Sequence, residues 1–222
     1  MRKTIFTEGN YYHILNRSIA KFQIFNNEKD YKRFLETLGY YIFQDRTIKF
    51  SRFLELPEIL KQEIMIRRRN EGKLASIVCF CLMPTHFHLI LKQLQFDDIS
   101  KLMSDLENSY SRYFNLRHKR KGPLWESRFK SVPVSSNEQL LHLSRYIHLN
   151  PVSADIVKKP EDWKFSSYHE YLKRSSYEKG NCEFRDIVDL SPRVYRKFTE
   201  ERISYQKELS KIKKQLLENY SG

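Results

Sequence analysis

The spacing of apolar residues in the first third of the chain predicts a strand, a helix and then a charged excursion. Residues 11–19 are rich in aromatic and β-branched side chains, which favour a strand. Asn26 or Asn27 can cap a helix. The apolar stripe of that helix is Tyr31, Phe34, Leu35 and Leu38. Residues 44–74 are charged and mixed, so we expect a partly helical excursion from the core.

The middle of the chain predicts two strands and an amphipathic helix. Residues 75–83 are apolar on both faces of a strand, which indicates a central or well-covered position. Pro84 and Thr85 interrupt this run, and residues 86–91 predict the next strand. A helix beginning at Asp97 and Asp98 would then keep one apolar face. Its members are Ile99, Leu102, Met103, Leu106, Tyr110 and Tyr113.

The last part predicts one more strand, at residues 125–134, and further helices. Asn137 is expected to cap a helix that carries Tyr146 and ends at Pro151. Ser191 and Pro192 should open one long helix. Its apolar side is Val194, Phe198, Tyr205, Leu209, Ile212 and Leu216. The pattern predicts an α+β core over residues 1–172, with the excursion at 44–74, and a helical C-terminal extension over 173–222.

The charge balance points to a polyanionic partner. Lysine and arginine number 40 against 27 acidic residues, a net charge of +13. Neutralised phosphates release counterions, so such an excess favours nucleic acid, although a merely soluble basic protein would show the same number.

Cysteine usage and hydropathy indicate a cytoplasmic protein. The three cysteines, Cys79, Cys81 and Cys182, form no disulfide framework, and Cys79 and Cys81 fit a strand as small apolar residues in a reducing compartment. The N-terminus lacks the apolar region of a signal peptide. The longest apolar run, residues 77–83, is too short to span a bilayer.

His86 and His88 form the sharpest local motif. Alternate residues of a strand point to one face, so the two imidazoles project side by side while Phe87 faces the opposite layer. Two parallel imidazoles suit one divalent ion. A packing or hydrogen-bonding pair is the alternative.

Tyr146 and Asn150 form a second constellation, one helical turn apart. A tyrosine hydroxyl can attack a phosphodiester, and the Asn150 carbonyl oxygen could complete a two-histidine metal site. Packing of a helix and its end would explain both residues without chemistry, and Pro151 could distort their one-turn relation.

Basic and aromatic residues interleave between residues 110 and 130, among them Trp125 and Phe129. Cations engage phosphates and aromatic faces accept unpaired bases, whereas a solvated loop is the alternative. The candidate contacts are Arg117, Lys119, Arg120, Lys121, Arg128 and Lys130.

Several blocks, taken in order over residues 5–172, resemble the HUH single-tyrosine transposases, specifically the REP-associated tyrosine transposases and their insertion-sequence relatives. The blocks are YHILNR from Tyr12, CLMPTHFHLI from Cys81, YFN from Tyr113, GPLWESRFKS from Gly122, RYIHLNPV from Arg145 and WKFSSY from Trp163. The family usually has asparagine where this chain has Thr85. Asn150 points to the REP-associated branch, because the insertion-sequence branch often has glutamine there.

The resemblance implies a ferredoxin-like HUH endonuclease fold, an antiparallel sheet backed by helices, with the two histidines on a central strand. It implies that His86, His88 and Asn150 bind Mg²⁺ or Mn²⁺, that Tyr146 is the nucleophile and that Tyr113 is structural. The expected reaction is cleavage and rejoining of single-stranded DNA through a 5′-phosphotyrosine, next to a repeat hairpin. Either a monomer or a homodimer fits.

Other functions fit the same residues. The chain could be a domesticated nuclease or a repressor of repeat hairpins, or a replication initiator of the same superfold, although no helicase domain is recognisable. A relaxase fits less well, because its tyrosine typically precedes the histidine motif. A noncatalytic DNA- or RNA-binding protein would bind hairpins without metal-dependent cleavage and would not depend on Tyr146.

Overall fold

The computed structural model describes residues 5–95, 98–173, 182–184 and 188–219, with side chains described up to residue 212. The strands are β1 (Tyr11–Arg17), β2 (Ala75–Met83), β3 (His86–Gln93) and β4 (Lys130–Val134). The helices are α1 (Glu28–Tyr41), α2 (Phe50–Glu55), α3 (Glu58–Glu71), α4 (Asp98–Arg117), α5 (Asn137–Ser153), α6 (Tyr168–Tyr171), α7 (Pro192–Glu200) and α8 (Ile203–Asn219).

The four strands form one antiparallel sheet in the order β2-β3-β1-β4. With α1 between β1 and β2 and α4 between β3 and β4, this is the βαββαβ connection of a ferredoxin-like fold. The predicted fold class is therefore confirmed, and β3, which carries the two histidines, is a central strand.

Helices cover both faces of the sheet. Successive side chains of a strand point to opposite faces, so the sheet contributes to two separate cores. Tyr12, Ile14 and Phe87 point into one core, beneath α1 and α4. Cys81 and Ile90 point into the other, where α5 contributes Leu140 and Ile147. The face with His88 is thus the α5 face.

The β2 strand is buried along its whole length, as its apolar pattern predicts, yet it lies at the edge of the sheet. Residues 165–167 cover that edge. The Leu82 amide donates to the Phe165 carbonyl and the Ser167 amide donates to the Phe80 carbonyl, both at 2.9 Å. The edge is therefore protected by the chain that follows α5.

The excursion at 44–74 contains α2 and α3, as predicted, and it is anchored to α1 through a buried arginine. The Arg68 guanidinium lies 3.8 Å from the centre of the Tyr40 ring, donates to the Tyr40 carbonyl at 3.1 Å and approaches Asp45 at 3.6 Å. Removing Arg68 would take away a bond to the buried Tyr40 carbonyl and a charge beside Asp45, so α3 is part of the packed structure.

The prediction of a strand over 125–134 is wrong for its first half, since β4 begins at Lys130. Before that point the pairing is irregular: the Glu126 backbone amide donates to the Arg17 carbonyl at 2.9 Å, and side chains supply further bonds. The Asn16 amide donates to the Ser127 carbonyl at 3.0 Å, and the Trp125 indole donates to the Glu107 carbonyl at 3.2 Å. The regular ladder with β1 begins only at Lys130.

Both predicted ends of α5 are wrong by a few residues. The cap is Ser136, whose hydroxyl accepts from the Gln139 amide, and Asn137 is the first helical residue. The helix also continues through Pro151 to Ser153, because the Ala154 amide still donates to the Asn150 carbonyl at 2.9 Å. A proline this close to the end disturbs only the final turn.

The single long helix predicted after Ser191 is in fact two helices, α7 and α8, separated at Glu201 and Arg202. Each packs on α5 through its own contacts: the Tyr195 hydroxyl of α7 lies 2.9 Å from the Ser144 hydroxyl, and Gln206 of α8 donates to the Tyr146 carbonyl at 3.0 Å. The turn at Glu201 and Arg202 allows both helices to contact α5.

Some predictions fall on positions that the structure does not describe. They include Asp97 as the start of α4, the side chain of Leu216, and residues 174–181, 185–187 and 220–222 of the extension. In the described part of the chain, every helix is too short or too polar to cross a membrane.

A buried histidine between α5 and α7 makes stability depend on pH. His148 contacts the hydroxyls of Tyr195 and Ser167 at 2.8 Å, and burial lowers its pKa to about 3. Between pH 6.5 and about 3 the unfolded chain therefore binds a proton that the folded chain does not. The free energy of unfolding therefore decreases as the pH falls below 6.5, by up to about 1.4 kcal/mol per pH unit.

Thermal melts from pH 7 to pH 4 should show Tm falling with pH, less steeply in His148→Gln than in the original protein. Equal slopes in the two proteins would contradict this role of His148.

Candidate active site on the α5 face of the sheet

His86 and His88 lie on one face of β3, with ring centres 5.1 Å apart and planes at 86°. Phe87 points to the other face, where its ring packs against Phe34 and Trp125. The predicted side-by-side arrangement of the imidazoles is confirmed. His88 is buried and His86 is partly exposed, so solvent reaches the pair from the end of β3.

Each imidazole is held through its Nδ1 atom. Thr85 Oγ1 lies 3.0 Å from Nδ1 of His86, and His13 Nε2 lies 3.0 Å from Nδ1 of His88. If each Nδ1 carries the proton, Thr85 and His13 accept, and both Nε2 atoms keep a free lone pair. This is the arrangement in which outer partners orient metal-binding histidines.

His13 is a member of the site that the sequence interpretation did not single out. It lies on β1, on the same face as His88, and the two rings stack with centres 5.2 Å apart. Strand spacing in the sequence gives the face of β1 on which His13 lies. It does not give the neighbour of His13, because its position beside His88 depends on the pairing of β1 with β3.

Burial keeps the three imidazoles neutral. It lowers the pKa of His13 and of His86 to about 4, with Arg17 adding to the effect on His86. Burial and the two neighbouring histidines hold the pKa of His88 well below its ordinary value. Neutral imidazole is the form that binds a metal, so at neutral pH the pair needs no deprotonation.

Tyr146 reaches this pair from α5. Its ring centre lies 6.2 Å from that of His88, and 39% of the residue is exposed. Burial of the remainder raises the pKa of its hydroxyl. Among the described residues no side chain hydrogen-bonds this hydroxyl, so deprotonation for attack would need help from the substrate, water or a cation.

Asn150 follows Tyr146 by one turn, and both line the same cleft. The amide nitrogen of Asn150 is buried and has no hydrogen-bond partner within the described part of the chain. The two ends of an amide are interchangeable when no partner fixes them, so an oxygen ligand could occupy this position. An unsatisfied buried amide calls for an explanation, and a bound group is one.

The two strand imidazoles could bind a divalent cation, and Asn150, which lines the same cleft as Tyr146, is the candidate third ligand. The described residues include no group of three or more histidine, cysteine, aspartate or glutamate side chains arranged for a metal. His13 does not make a third imidazole ligand, because its Nε2 is engaged with His88. His86, His88 and Asn150 therefore remain the candidate set, with Asn150 supplying the oxygen that Mg²⁺ and Mn²⁺ favour.

The predicted nucleic-acid contacts divide between two places. Lys130 pairs with Leu15 in the sheet, and Leu15 pairs with His88, so Lys130 and His88 share a face two strands apart. Arg17, beside His86 in the register, is also exposed on this face and pairs with Glu126.

The loop at residues 117–121 lies instead against the α1 and α4 layer. Arg117 approaches Asp30 of α1 at 3.4 Å, and Arg120 donates to the Pro123 carbonyl at 2.6 Å and to Asn115 at 3.1 Å. Arg120 thus holds its own loop together. Lys119, Lys121 and Arg128 are exposed.

Tyr113, the other motif tyrosine, is placed away from the histidines. Its hydroxyl donates to Asp30 at 3.0 Å, and its ring lies under the Arg33 guanidinium. Burial and the Asp30 carboxylate raise its pKa to about 12. These contacts connect α4 to α1.

Comparison with known proteins agrees with the resemblance predicted from the sequence. Residues 58–150 match the family described as "Transposase IS200 like". The chain is 26% identical over 103 residues to the REP-associated tyrosine transposase of Escherichia coli K12, covering 46% of this chain and 59% of that protein. It is 26% identical over 110 residues to a provisionally named REP-associated tyrosine transposase of Haemophilus influenzae, covering 45% and 62%. The matched part thus spans about six tenths of each relative.

Two solved structures are also similar. One is a REP-associated tyrosine transposase bound to a REP hairpin, with 18% identity, a TM-score of 0.48 and coverage of 83% of this chain and 94% of that one. The other, from Deinococcus radiodurans and provisionally described as a transposase, has 16% identity, a TM-score of 0.36 and coverage of 66% and 95%.

Proposed function

We propose that this protein is a metal-dependent single-strand DNA endonuclease and strand transferase of the REP-associated tyrosine transposase type. The observation that carries the proposal is the contact between Tyr146 of α5 and His88 of the two-histidine strand. This contact supports a reaction in which Tyr146 acts as the nucleophile next to a cation held by the histidines. The family match over residues 58–150 supports the same reaction.

Tyr146 would attack the scissile phosphorus, forming a phosphotyrosine at the 5′ side and releasing a 3′-hydroxyl. The proton of the tyrosine leaves as its oxygen bonds to phosphorus, and the departing 3′ oxygen gains one. Because the new ester conserves the energy of the broken one, a 3′-hydroxyl can attack it and join strands without ATP. Bound Mg²⁺ or Mn²⁺ would supply charge stabilisation for the phosphate in the transition state.

The protein's own residues would prepare this step. His86 and His88, oriented by Thr85 and His13, would hold the cation together with Asn150. Lys130, exposed on the histidine face, would neutralise a flanking phosphate. The Tyr146 ring contacts His88 of its own chain, so the proposed reaction can take place in either a monomer or a homodimer.

The substrate proposed is single-stranded DNA beside a repeat hairpin, as in the relative whose structure is described with a REP hairpin. Contact of the 117–130 segment with the hairpin remains a prediction. Arg120 is a poor choice for testing it, because its loss would release the loop it stabilises. Lys121→Gln, at an exposed position, should weaken hairpin binding and flatten its salt dependence.

The test is incubation of the protein with labelled hairpin oligonucleotides that carry single-stranded flanks, taken from repeats beside its own gene. We expect cleavage in Mn²⁺ or Mg²⁺, none in EDTA, and none of the matching RNA. Tight hairpin binding with no cleavage of any such DNA would favour the noncatalytic alternative.

The threonine before the histidines should affect metal affinity. Thr85→Val keeps the shape but removes the acceptor at Nδ1 of His86. Loss of such a partner typically weakens metal binding about 10–100-fold. Titration calorimetry with Mn²⁺ should show this loss, and Thr85→Ser, which restores a hydroxyl, should recover most of the affinity. An unchanged affinity in Thr85→Val would contradict the orienting role.

A further inference from the structure

A cleft of about 550 Å³ lies between α5 and the C-terminal helix α8, directly beside Tyr146. The α5 wall carries Arg145, Tyr146 and Asn150, and the other wall carries Arg202, Tyr205 and Leu209. The second wall lies outside residues 58–150, so the family match does not extend to it.

Two hydrogen bonds attach α8 to α5 and to the residue pair that follows it. Gln206 donates to the Tyr146 carbonyl at 3.0 Å, and Lys207 pairs with Asp155 at 2.7 Å. Neither bond involves a guanidinium group or an aromatic ring of the cleft. The walls are therefore positioned without using Arg202 or Tyr205.

Two arginines line the cleft, and Glu201, an acidic residue whose charge acts on Arg145, pairs with Lys197 at 3.8 Å. Among the described residues, neither Arg145 nor Arg202 has a carboxylate within 4.0 Å. Arg145 is fixed by the Phe198 ring at 4.0 Å and by His142 Nδ1 at 2.7 Å. Burial, and then the nearby Arg202 charge, lower the pKa of Arg145. Two like charges that face each other across a cleft favour an anion between them.

An aromatic ring accompanies these charges. Tyr205 is 55% exposed, and the Arg202 guanidinium lies 5.5 Å from its ring centre. Leu209 is 46% exposed on the next turn. An exposed ring beside unpaired cations is the combination that single-stranded nucleic acid occupies, with phosphate on the cations and a base on the ring.

We propose that this cleft binds a nucleotide next to the scissile phosphate, with Arg145 and Arg202 on its backbone phosphate and Tyr205 against its base. The inference rests on the proposed function, since Tyr146 defines which phosphate is cut. The size of the cleft is within the range of small-molecule sites. α8 is thereby part of the DNA-binding surface.

The test is DNA binding by the full chain in EDTA, measured by fluorescence anisotropy, so that cleavage does not enter. Two ligands are compared: a hairpin with a single-stranded flank, and the same hairpin without it. Arg202→Gln should weaken binding of the flanked hairpin about 3- to 10-fold and lower its salt slope by about 1. Binding of the unflanked hairpin should not change.

Matched variants separate the site from overall charge and folding. Arg193→Gln removes the same charge from an exposed position on α7 and should have little effect. Tyr205→Ala should weaken binding of the flanked hairpin about 10-fold, the order expected for loss of one stacked base, while Tyr205→Phe should bind as the original protein. Equal behaviour of the Arg202→Gln and Arg193→Gln variants, together with no loss in Tyr205→Ala, would overturn the inference.

The two proposals fail in different ways. A protein that never cleaves DNA but loses flank binding in Arg202→Gln and Tyr205→Ala would refute the proposed reaction and support the cleft. A protein that cleaves normally, with both variants binding the flank as well as the original, would refute the cleft alone.

Discussion

Replacing Tyr146 by phenylalanine should abolish covalent attachment of the protein to DNA while leaving DNA binding intact. The substitution removes only the hydroxyl, and within the described chain no side chain hydrogen-bonds this hydroxyl, so the fold loses no bond. The ring keeps its contact with His88. Since the hydroxyl oxygen would form the new ester, its loss removes the reaction path rather than slowing it. A denaturing gel with labelled flanked hairpin and Mn²⁺ measures the adduct.

Tyr113→Phe is the matched control for this experiment. It removes the same atom from the other motif tyrosine, whose hydroxyl donates to Asp30 between α4 and α1. We expect a modest loss of stability, about 1 kcal/mol, and a normal amount of adduct. An adduct that persists in Tyr146→Phe and disappears in Tyr113→Phe would move the nucleophile to α4.

Replacing either strand histidine by alanine should remove both metal binding and cleavage. His86 and His88 supply two of the three candidate ligands, and their Nδ1 atoms are already held by Thr85 and His13. Loss of a ligand should cost more than the 10–100-fold that loss of an orienting partner typically costs. Calorimetric titration with Mn²⁺ measures the affinity directly, without reference to activity.

His169→Ala provides the control, because His169 is an exposed histidine on α6 outside the site. It should bind Mn²⁺ as the original protein does. His88 is buried, so His88→Ala also leaves a space beside His13, and thermal melts should accompany the titration. If His86→Ala, at the partly exposed position, retained full Mn²⁺ affinity, the two-histidine site would be refuted.

The periodic part of the fold could be predicted from the sequence because its burial follows strand and helix spacing. The stripe of α1 corresponds to its buried face, and strand alternation puts Phe87 in the core opposite to the face of His86 and His88. Boundaries were less predictable where tertiary contacts decide them. The beginning of β4 depends on the Asn16 side chain, and the division between α7 and α8 on separate contacts with α5.

In the candidate site, too, local spacing predicts some relations and not others. Spacing places His86 beside His88, and Tyr146 one turn from Asn150, because those relations are local. The contact of Tyr146 with His88, and of His13 with His88, joins residues far apart in sequence. Only strand register and the packing of α5 on the sheet bring them together. The cleft wall formed by Arg202 and Tyr205 could not be predicted from local spacing either, because it depends on the packing of α8 against α5.

The role of Tyr146 as the nucleophile can be tested by locating the covalent bond between protein and DNA. The adduct formed with a flanked hairpin in Mn²⁺ would be digested with nuclease and protease and analysed by mass spectrometry. We predict a nucleotide attached through a 5′-phosphate to the peptide containing Tyr146. Attachment at any other residue, or an adduct joined through a 3′-phosphate, would contradict it.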